Sequence, residues 1–310
     1  MEPFTVVGID VSKDRLDVHV LPAGEAWSVS RDSAGLGELC QRLGGTARLV
    51  ALEATGGYET IVAATLSSEG LPVVVVNPAQ VRNFANALGQ RAKTDPIDAW
   101  VIARFAEATR PEIRALPDRA SRLLADLVAR RRQIIEMIVA ERQRLHRTEP
   151  ARVRKSIERL LKALDKELAS VDHDIDASVR SSPVWREKQD LMKSVPSVGP
   201  VIARTILAEL PELGTLNHKK IAALVGLAPF THQSGAWKGK ASIAGGRSAV
   251  RTALFMGAQA AKRWNPALKA FYDRLIANGK PKMVATIAVA HKLLTILNAI
   301  LRDKTPWQNA

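Results

Sequence analysis

The sequence predicts an α/β domain followed by an almost wholly helical remainder, divided over residues 1–112, 113–184 and 185–310. Three observations carry that expectation. Short β-branched runs that end in an acid cluster in the first part. A three-and-four apolar spacing runs through the middle, and amphipathic stretches separated by Gly and Pro turns fill the last part. A chain of 310 residues is too long for one small core.

In the first part, residues 5–10 form an apolar run closing on Asp10, and residues 15–21 alternate as a half-buried strand does, with a turn at 11–14 between them. Residues 48–53 give a third strand with its acid, Glu53, again at the exit. Residues 59–70 have helical spacing. The run Leu71-Pro-Val-Val-Val-Val-Asn77 is uniformly apolar, as in a strand covered on both faces. Pro78 opens a helix reaching residue 88, and Pro96 opens another. In the middle part Leu124, Leu127, Ile134, Ile138 and Leu145, then Ile157, Leu161, Leu164, Leu168, Val171 and Ile175, mark the seam of a helical hairpin or coiled coil. Its reading is an oligomerisation section, with an intrachain strut as the alternative. In the last part the segment 191–204 predicts a helix-hairpin-helix-like element whose turn offers backbone N–H groups to a phosphate. Helices follow over 219–227, 249–263, 267–277 and 282–302.

Lys and Arg number 45 against 31 Asp and Glu, a formal charge of +14, with a pI near 10.2. That excess calls for a polyanionic partner. No apolar run is expected to reach the ~18 residues that span a bilayer, and the amino terminus lacks the pattern of a secretory signal. The single cysteine, Cys40, excludes an internal disulfide and argues against structural zinc. These features predict a cytoplasmic, nucleoid-associated protein acting on nucleic acid, with no membrane partner.

Acids at strand exits lie where open α/β sheets collect ligands. Asp10 and Glu53 are so placed, and Asp95 and Asp98 stand three apart at a helix start, close enough to share a ligand. That pair is equally explained as caps favouring the helix dipole. Four acids converging on one edge repel unless a cation sits among them. Hard oxygen donors suit Mg²⁺ or Mn²⁺, which can activate an attacking oxygen and stabilise a leaving one at phosphorus. Towards the carboxyl end, the basic stretch 232–247 holds Ser234, read as a nucleophile aimed at a DNA phosphate, with Ser242 as second choice. Lys238, Lys240, Arg247 and Arg251, with Lys93 upstream, are candidate phosphate contacts.

Gly8-Ile-Asp-Val-Ser-Lys13, Leu52-Glu-Ala-Thr-Gly-Gly-Tyr58, Val76-Asn-Pro78 with Gln80-Val-Arg82, and Lys93-Thr-Asp-Pro-Ile-Asp-Ala99 resemble the amino-terminal half of the DEDD transposases of the IS110 insertion-sequence family, related to the Piv/MooV DNA invertase. Ser194-Val-Pro-Ser-Val-Gly-Pro200, Leu224-Val-Gly-Leu-Ala-Pro229, Gln233-Ser-Gly235 and Gly279-Lys-Pro-Lys282 resemble its carboxyl-terminal half, and Gly245-Gly-Arg247 is similar to the IS1111-like branch. The resemblance implies a RuvC-like, ribonuclease-H-like first domain, a coiled-coil section and a mostly helical transposase domain. It further implies a DNA recombinase of a mobile element: Asp10, Glu53, Asp95 and Asp98 binding Mg²⁺, a serine forming a covalent DNA intermediate, a noncoding bridge RNA pairing with donor and target DNA, and a homodimer or homotetramer. Two other readings fit the residues. One is a RuvC-like metal nuclease or Holliday-junction resolvase using water; the other is a noncatalytic nucleic-acid scaffold.

Overall fold

The computed structural model describes residues 4–45, 47–90, 95–113, 116–231, 233–235, 237–239 and 241–308, without the side chains of 95, 96, 233, 237 and 238. The chain divides into two compact units, Met1–Leu116 and Pro117–Ala310.

The first unit is built on strands β1 (Val6–Val11), β2 (Arg15–Leu21), β3 (Glu25–Ser30), β4 (Leu49–Glu53) and β5 (Val73–Val76), with helices α1 (Ser33–Leu43), α2 (Glu59–Ser68), α3 (Pro78–Ala87) and α4 (Asp95–Thr109). They form one sheet in the order β3-β2-β1-β4-β5. β1 is antiparallel to β2 and parallel to β4, which is parallel to β5. Alternation along the strands sorts the core into two layers. Val7, Ile9, Val11, Val50 and Leu52 meet the buried faces of α1 and α2. Val6, Leu49, Ala51 and Val76 meet α3 and α4 on the other side. This mixed five-stranded sheet between helices is the RuvC-like, ribonuclease-H-like architecture expected.

Local chemistry fixes the element boundaries. Asn77 accepts from the N–H of Ala79 at 2.8 Å and Pro78 fills the first helical position, so α3 starts there. Asp32 caps α1 by accepting from the N–H of Gly35 at 2.8 Å; these bonds to N–H and to the Ser30 hydroxyl hold its carboxyl below the usual range. β3 and α1 stood outside the sequence expectation. β3 is an exposed edge where only Val29 is buried, so it lacks an apolar signature.

The second unit holds α5 (Arg119–Arg147), α6 (Ala151–Ser181), α7 (Pro183–Lys193), α8 (Pro200–Glu209), α9 (His218–Val225), the two-residue strands β6 (Gln233–Ser234) and β7 (Trp237–Lys238), α10 (Ser248–Trp264), α11 (Pro266–Ala277) and α12 (Lys282–Asp303). α5 and α6 form the long hairpin. Leu124, Val128, Ile134 and Ile138 of α5 bury against Val171, Ile175 and Val179 of α6, joined by Leu207 of α8. Arg131 crosses this seam to Asp172 with bonds of 2.7 and 3.4 Å, and Arg204 of α8 reaches Asp172 at 3.7 Å and Asp176. α7 and α8 make the expected helix turn, held by the Asn265 side chain, which donates to the Pro196 carbonyl at 3.4 Å.

The expectation that no apolar stretch is long enough to span a bilayer needs correcting. α12 passes on length and composition. It does so as a core helix: Ala285, Val289, Ala290, Leu293, Leu294 and Leu297 are buried, and the helix packs against α7, α9, α10 and α11.

Candidate active site

The site is built from strand register. β1 and β4 run parallel with Val6 beside Leu49, Val7 beside Val50, Gly8 beside Ala51 and Ile9 beside Leu52. Asp10 follows Ile9 and Glu53 follows Leu52, so the two acids stand at the carboxyl ends of these paired strands. Residues two apart share a face, so Asp10 lies on the face of Val6 and Gly8, and Glu53 on that of Leu49 and Ala51. That is the α4 face.

Gly8 explains how α4 comes so close. A Cβ there would lie 2.2 Å from the Ala99 carbonyl oxygen and 2.3 Å from the Ala103 nitrogen. Only glycine lets the helix backbone rest on the strand, two residues from Asp10. Asp98 immediately precedes Ala99 in α4, one residue from the helix backbone that meets Gly8. All three carboxylates are half-buried and engaged in interactions. The Asp95 side chain and Lys93 lie outside the described residues. Beyond Glu53, the Glu59 carboxylate accepts from the N–H groups of Thr55 at 3.0 Å and Gly57 at 2.9 Å, which fixes the loop after β4. Gly56 and Gly57 supply its positive φ values of 71° and 107°.

Sequence reasoning missed Asp17 and Arg15. Asp17 is the register partner of Asp10 across β2 and is only 6% exposed; the Arg15 Nε donates to it at 2.9 Å. The signal was the alternation Arg15, Asp17, His19 along a strand whose other residues are apolar. Burial lowers the His19 imidazole below its ordinary value.

In the second unit the basic stretch is organised differently. Ser234 is exposed on the two-residue hairpin β6-β7, beside Gly235 at φ 56°. Ser242 is also exposed and pairs with Phe230 through backbone bonds of 2.8 and 3.1 Å. Arg247 grips the Glu212 carboxylate with two bonds of 2.5 and 2.6 Å and donates to the Glu209 carbonyl at 2.8 Å. Arg251 donates to the carbonyls of Gly245 and, at 3.3 Å, Val225. The Arg251 guanidinium therefore holds the Gly245-Gly246 turn against the carboxyl end of α9, where the helix dipole also favours a cation, while the Arg247 guanidinium ties the segment after that turn to the carboxyl end of α8 and the loop beyond it. A Cβ on Gly246 would stand 2.3 Å from the Gly226 nitrogen, so the turn needs glycine. Lys240 and the Lys238 side chain lie outside the described residues.

The donor chemistry fits a hard divalent cation: carboxylate oxygens from two adjacent strand ends, with a third carboxylate on the helix packed over them. Among the described residues no group of three or more His, Cys, Asp or Glu side chains is drawn close enough to enclose an ion, and Asp95 is absent from that count.

Residues 7–148 match the DEDD transposase profile of the IS110 family, and residues 189–273 match one described as transposase of the IS116/IS110/IS902 family. The chain is 28% identical to the pilin gene-inverting protein of Moraxella bovis over 317 aligned positions, covering 98% of this chain and 97% of that one. The Moraxella lacunata protein of the same name gives the same identity and coverage. An insertion element IS110 protein of Streptomyces coelicolor is 29% identical over 48% of this chain and 36% of its own length.

These matches correct the expected chemistry. The first names a family by its four carboxylates, which points to carboxylate-held metal catalysis in place of a serine nucleophile. A serine hydroxyl attacks poorly without an activating base or cation beside it, and Ser234 and Ser242 stand exposed in a loop ordered by backbone pairing. With the sheet, the carboxylate edge and both profiles in agreement, the chain belongs to the IS110 family of DEDD transposases, enzymes of DNA cleavage and rejoining, and is related to the pilin-inverting recombinases.

Proposed function

We propose that Asp10, Glu53, Asp95 and Asp98 form one carboxylate corner that holds Mg²⁺ or Mn²⁺ and cuts DNA with water as the attacking group, the route of RuvC-like nucleases. The observation that supports this is the parallel pairing of β1 with β4 up to Ile9 and Leu52, the residues immediately before Asp10 and Glu53, both of which alternate onto the α4 face. A divalent cation bound there supplies charge to activate the attacking oxygen and to stabilise the leaving one at phosphorus. Asp10 and Glu53 would hold it from strand ends, with Asp98 and Asp95 supplied by α4. Rejoining needs only that a DNA hydroxyl take the place of water in the same in-line displacement.

The remaining assignments belong to this reading. Lys93, Lys238 and Lys240 contact phosphates, while Arg247 and Arg251 brace the segment around Gly245-Gly246. The helix turn between α7 and α8 offers N–H groups to the backbone of donor or target DNA. Residues 113–184 associate with another copy, in a homodimer or homotetramer, through the groove of about 380 Å³ lined by Met137, Ala140, Leu160 and Leu164. A noncoding guide RNA shares the basic surface, supported by the +14 charge. DNA as substrate sets the cytoplasm as the place of action.

Metal-dependent cutting tests the core of this reading. Purified protein stripped with chelator is expected to regain DNA cleavage with Mg²⁺ or Mn²⁺, and Asp10→Asn to regain none. Cleavage that persists in excess chelator would refute it. RNA recovered from protein co-expressed with its flanking DNA tests guidance; no defined small species would refute that element alone.

A further inference from the structure

The α4 face of the sheet carries a carboxylate beyond the four family acids. Asp17 stands directly opposite Asp10 in antiparallel register, and residues so opposed share a face with Cβ atoms about 5 Å apart. Asp17 is 6% exposed. Like charges facing each other across two strands destabilise the pairing, more so when one is buried. Arg15 is two residues away on β2, hence on the same face, and its Nε donates to the Asp17 carboxylate at 2.9 Å. Its backbone closes the β1–β2 turn with Ser12: the Arg15 N–H donates to the Ser12 hydroxyl at 3.1 Å and the hydroxyl donates to the Arg15 carbonyl at 2.8 Å. The turn and the Asp17 bond together fix a half-exposed guanidinium at the end of the sheet where Asp10 emerges.

We propose that Arg15, positioned by buried Asp17, is the resident counter-charge of the carboxylate corner. In the metal-free protein it offsets the repulsion between Asp17 and Asp10; during loading its positive charge opposes the incoming cation, while the Asp17 charge favours it. The pair thus sets how tightly the corner takes a divalent ion without being a ligand. The inference rests on the metal reading above only in its second half.

Two arms separate the two. In chelator at low salt, Arg15→Gln is expected to lower the thermal midpoint clearly, and to lower it much less in an Asp10→Asn background, because the charge it balances is gone. Equal losses in both backgrounds would overturn the proposal. In the second arm, Mn²⁺ alone is titrated against the thermal midpoint. Arg15→Gln should reduce the Mn²⁺ concentration at half-effect by roughly threefold or more, and Asp17→Asn should raise it by a similar factor. A shift in the same direction for both, or none for either while the wild type responds, would overturn the proposal. A wild type insensitive to Mn²⁺ would refute the metal reading itself, and the first arm, run without metal, still decides the charge balance.

Discussion

The two units hold their charged groups by opposite means. In the first, Asp10, Glu53 and Asp17 sit at strand positions whose neighbours are set by backbone register, so their spacing is a property of the sheet. In the second, Arg247 and Arg251 bind internal acceptors and shape a turn, while Ser234 rides on a hairpin of two-residue strands and Ser242 on a single bridge to Phe230. Chemistry that needs groups held closely belongs on the first kind of scaffold. A basic loop serves better to meet a backbone whose position varies.

The largest effect should come from the sheet edge. Asp10→Asn or Glu53→Gln is expected to reduce DNA cleavage by about a thousandfold or more, since each removes part of the charge that stabilises the reaction, with circular dichroism unchanged. Ser234→Ala, by contrast, should leave cleavage within about threefold of wild type, with no covalent protein–DNA adduct in either. Cleavage lost with Ser234, or an adduct trapped on it, would return the hydroxyl to the reaction and undo the contrast between the units.

Packing comes next. Gly8→Ala places a methyl group 2.2 Å from the Ala99 carbonyl oxygen and should destabilise the first unit by about 1–3 kcal/mol as α4 is pushed away. Denaturant titration measures it, and unchanged stability would mean that α4 is not seated as described. Arg247→Ala should destabilise the second unit by about 2 kcal/mol through loss of two charge-assisted bonds to partly buried Glu212. It should leave the salt dependence of DNA affinity unaltered. A salt slope reduced by about one would instead make Arg247 a phosphate contact.

The smallest effect is in pH. Burial first, then the charges of His218 and Lys292, lowers the His291 imidazole below its ordinary value. The unfolded chain therefore binds this proton at a higher pH than the folded one does. Stability is full above about pH 6.5 and declines as pH falls through the lowered folded value. His291→Gln should flatten that decline in thermal midpoint; a steeper decline would contradict the assignment.

Much of the first unit was legible because its signals are local. The acids at the exits of β1 and β4 and the run Val73–Val76 announce buried strands, and α3 is announced by Asn77-Pro78. β3 was not legible, because an exposed edge strand has no apolar alternation to read. Nor was Asp17, since its meaning lies in a cross-strand partner and not in its neighbours in sequence. The basic loop misled for a related reason. Charge counts do not reveal that Arg247 is claimed by Glu212, 35 residues before it, and a serine beside a glycine looks the same whether or not a base faces it.

Asp10 and Glu53, at the ends of the paired strands β1 and β4, are proposed to act as one divalent-cation corner. Isothermal titration of Mn²⁺ into the metal-free protein tests it most directly, with Asp10→Asn, Glu53→Gln and the double variant alongside. Each single change should weaken binding strongly, and the double variant should be little worse than either, because both remove the same site. Independent, additive losses, or Mn²⁺ binding untouched by both changes, would contradict it.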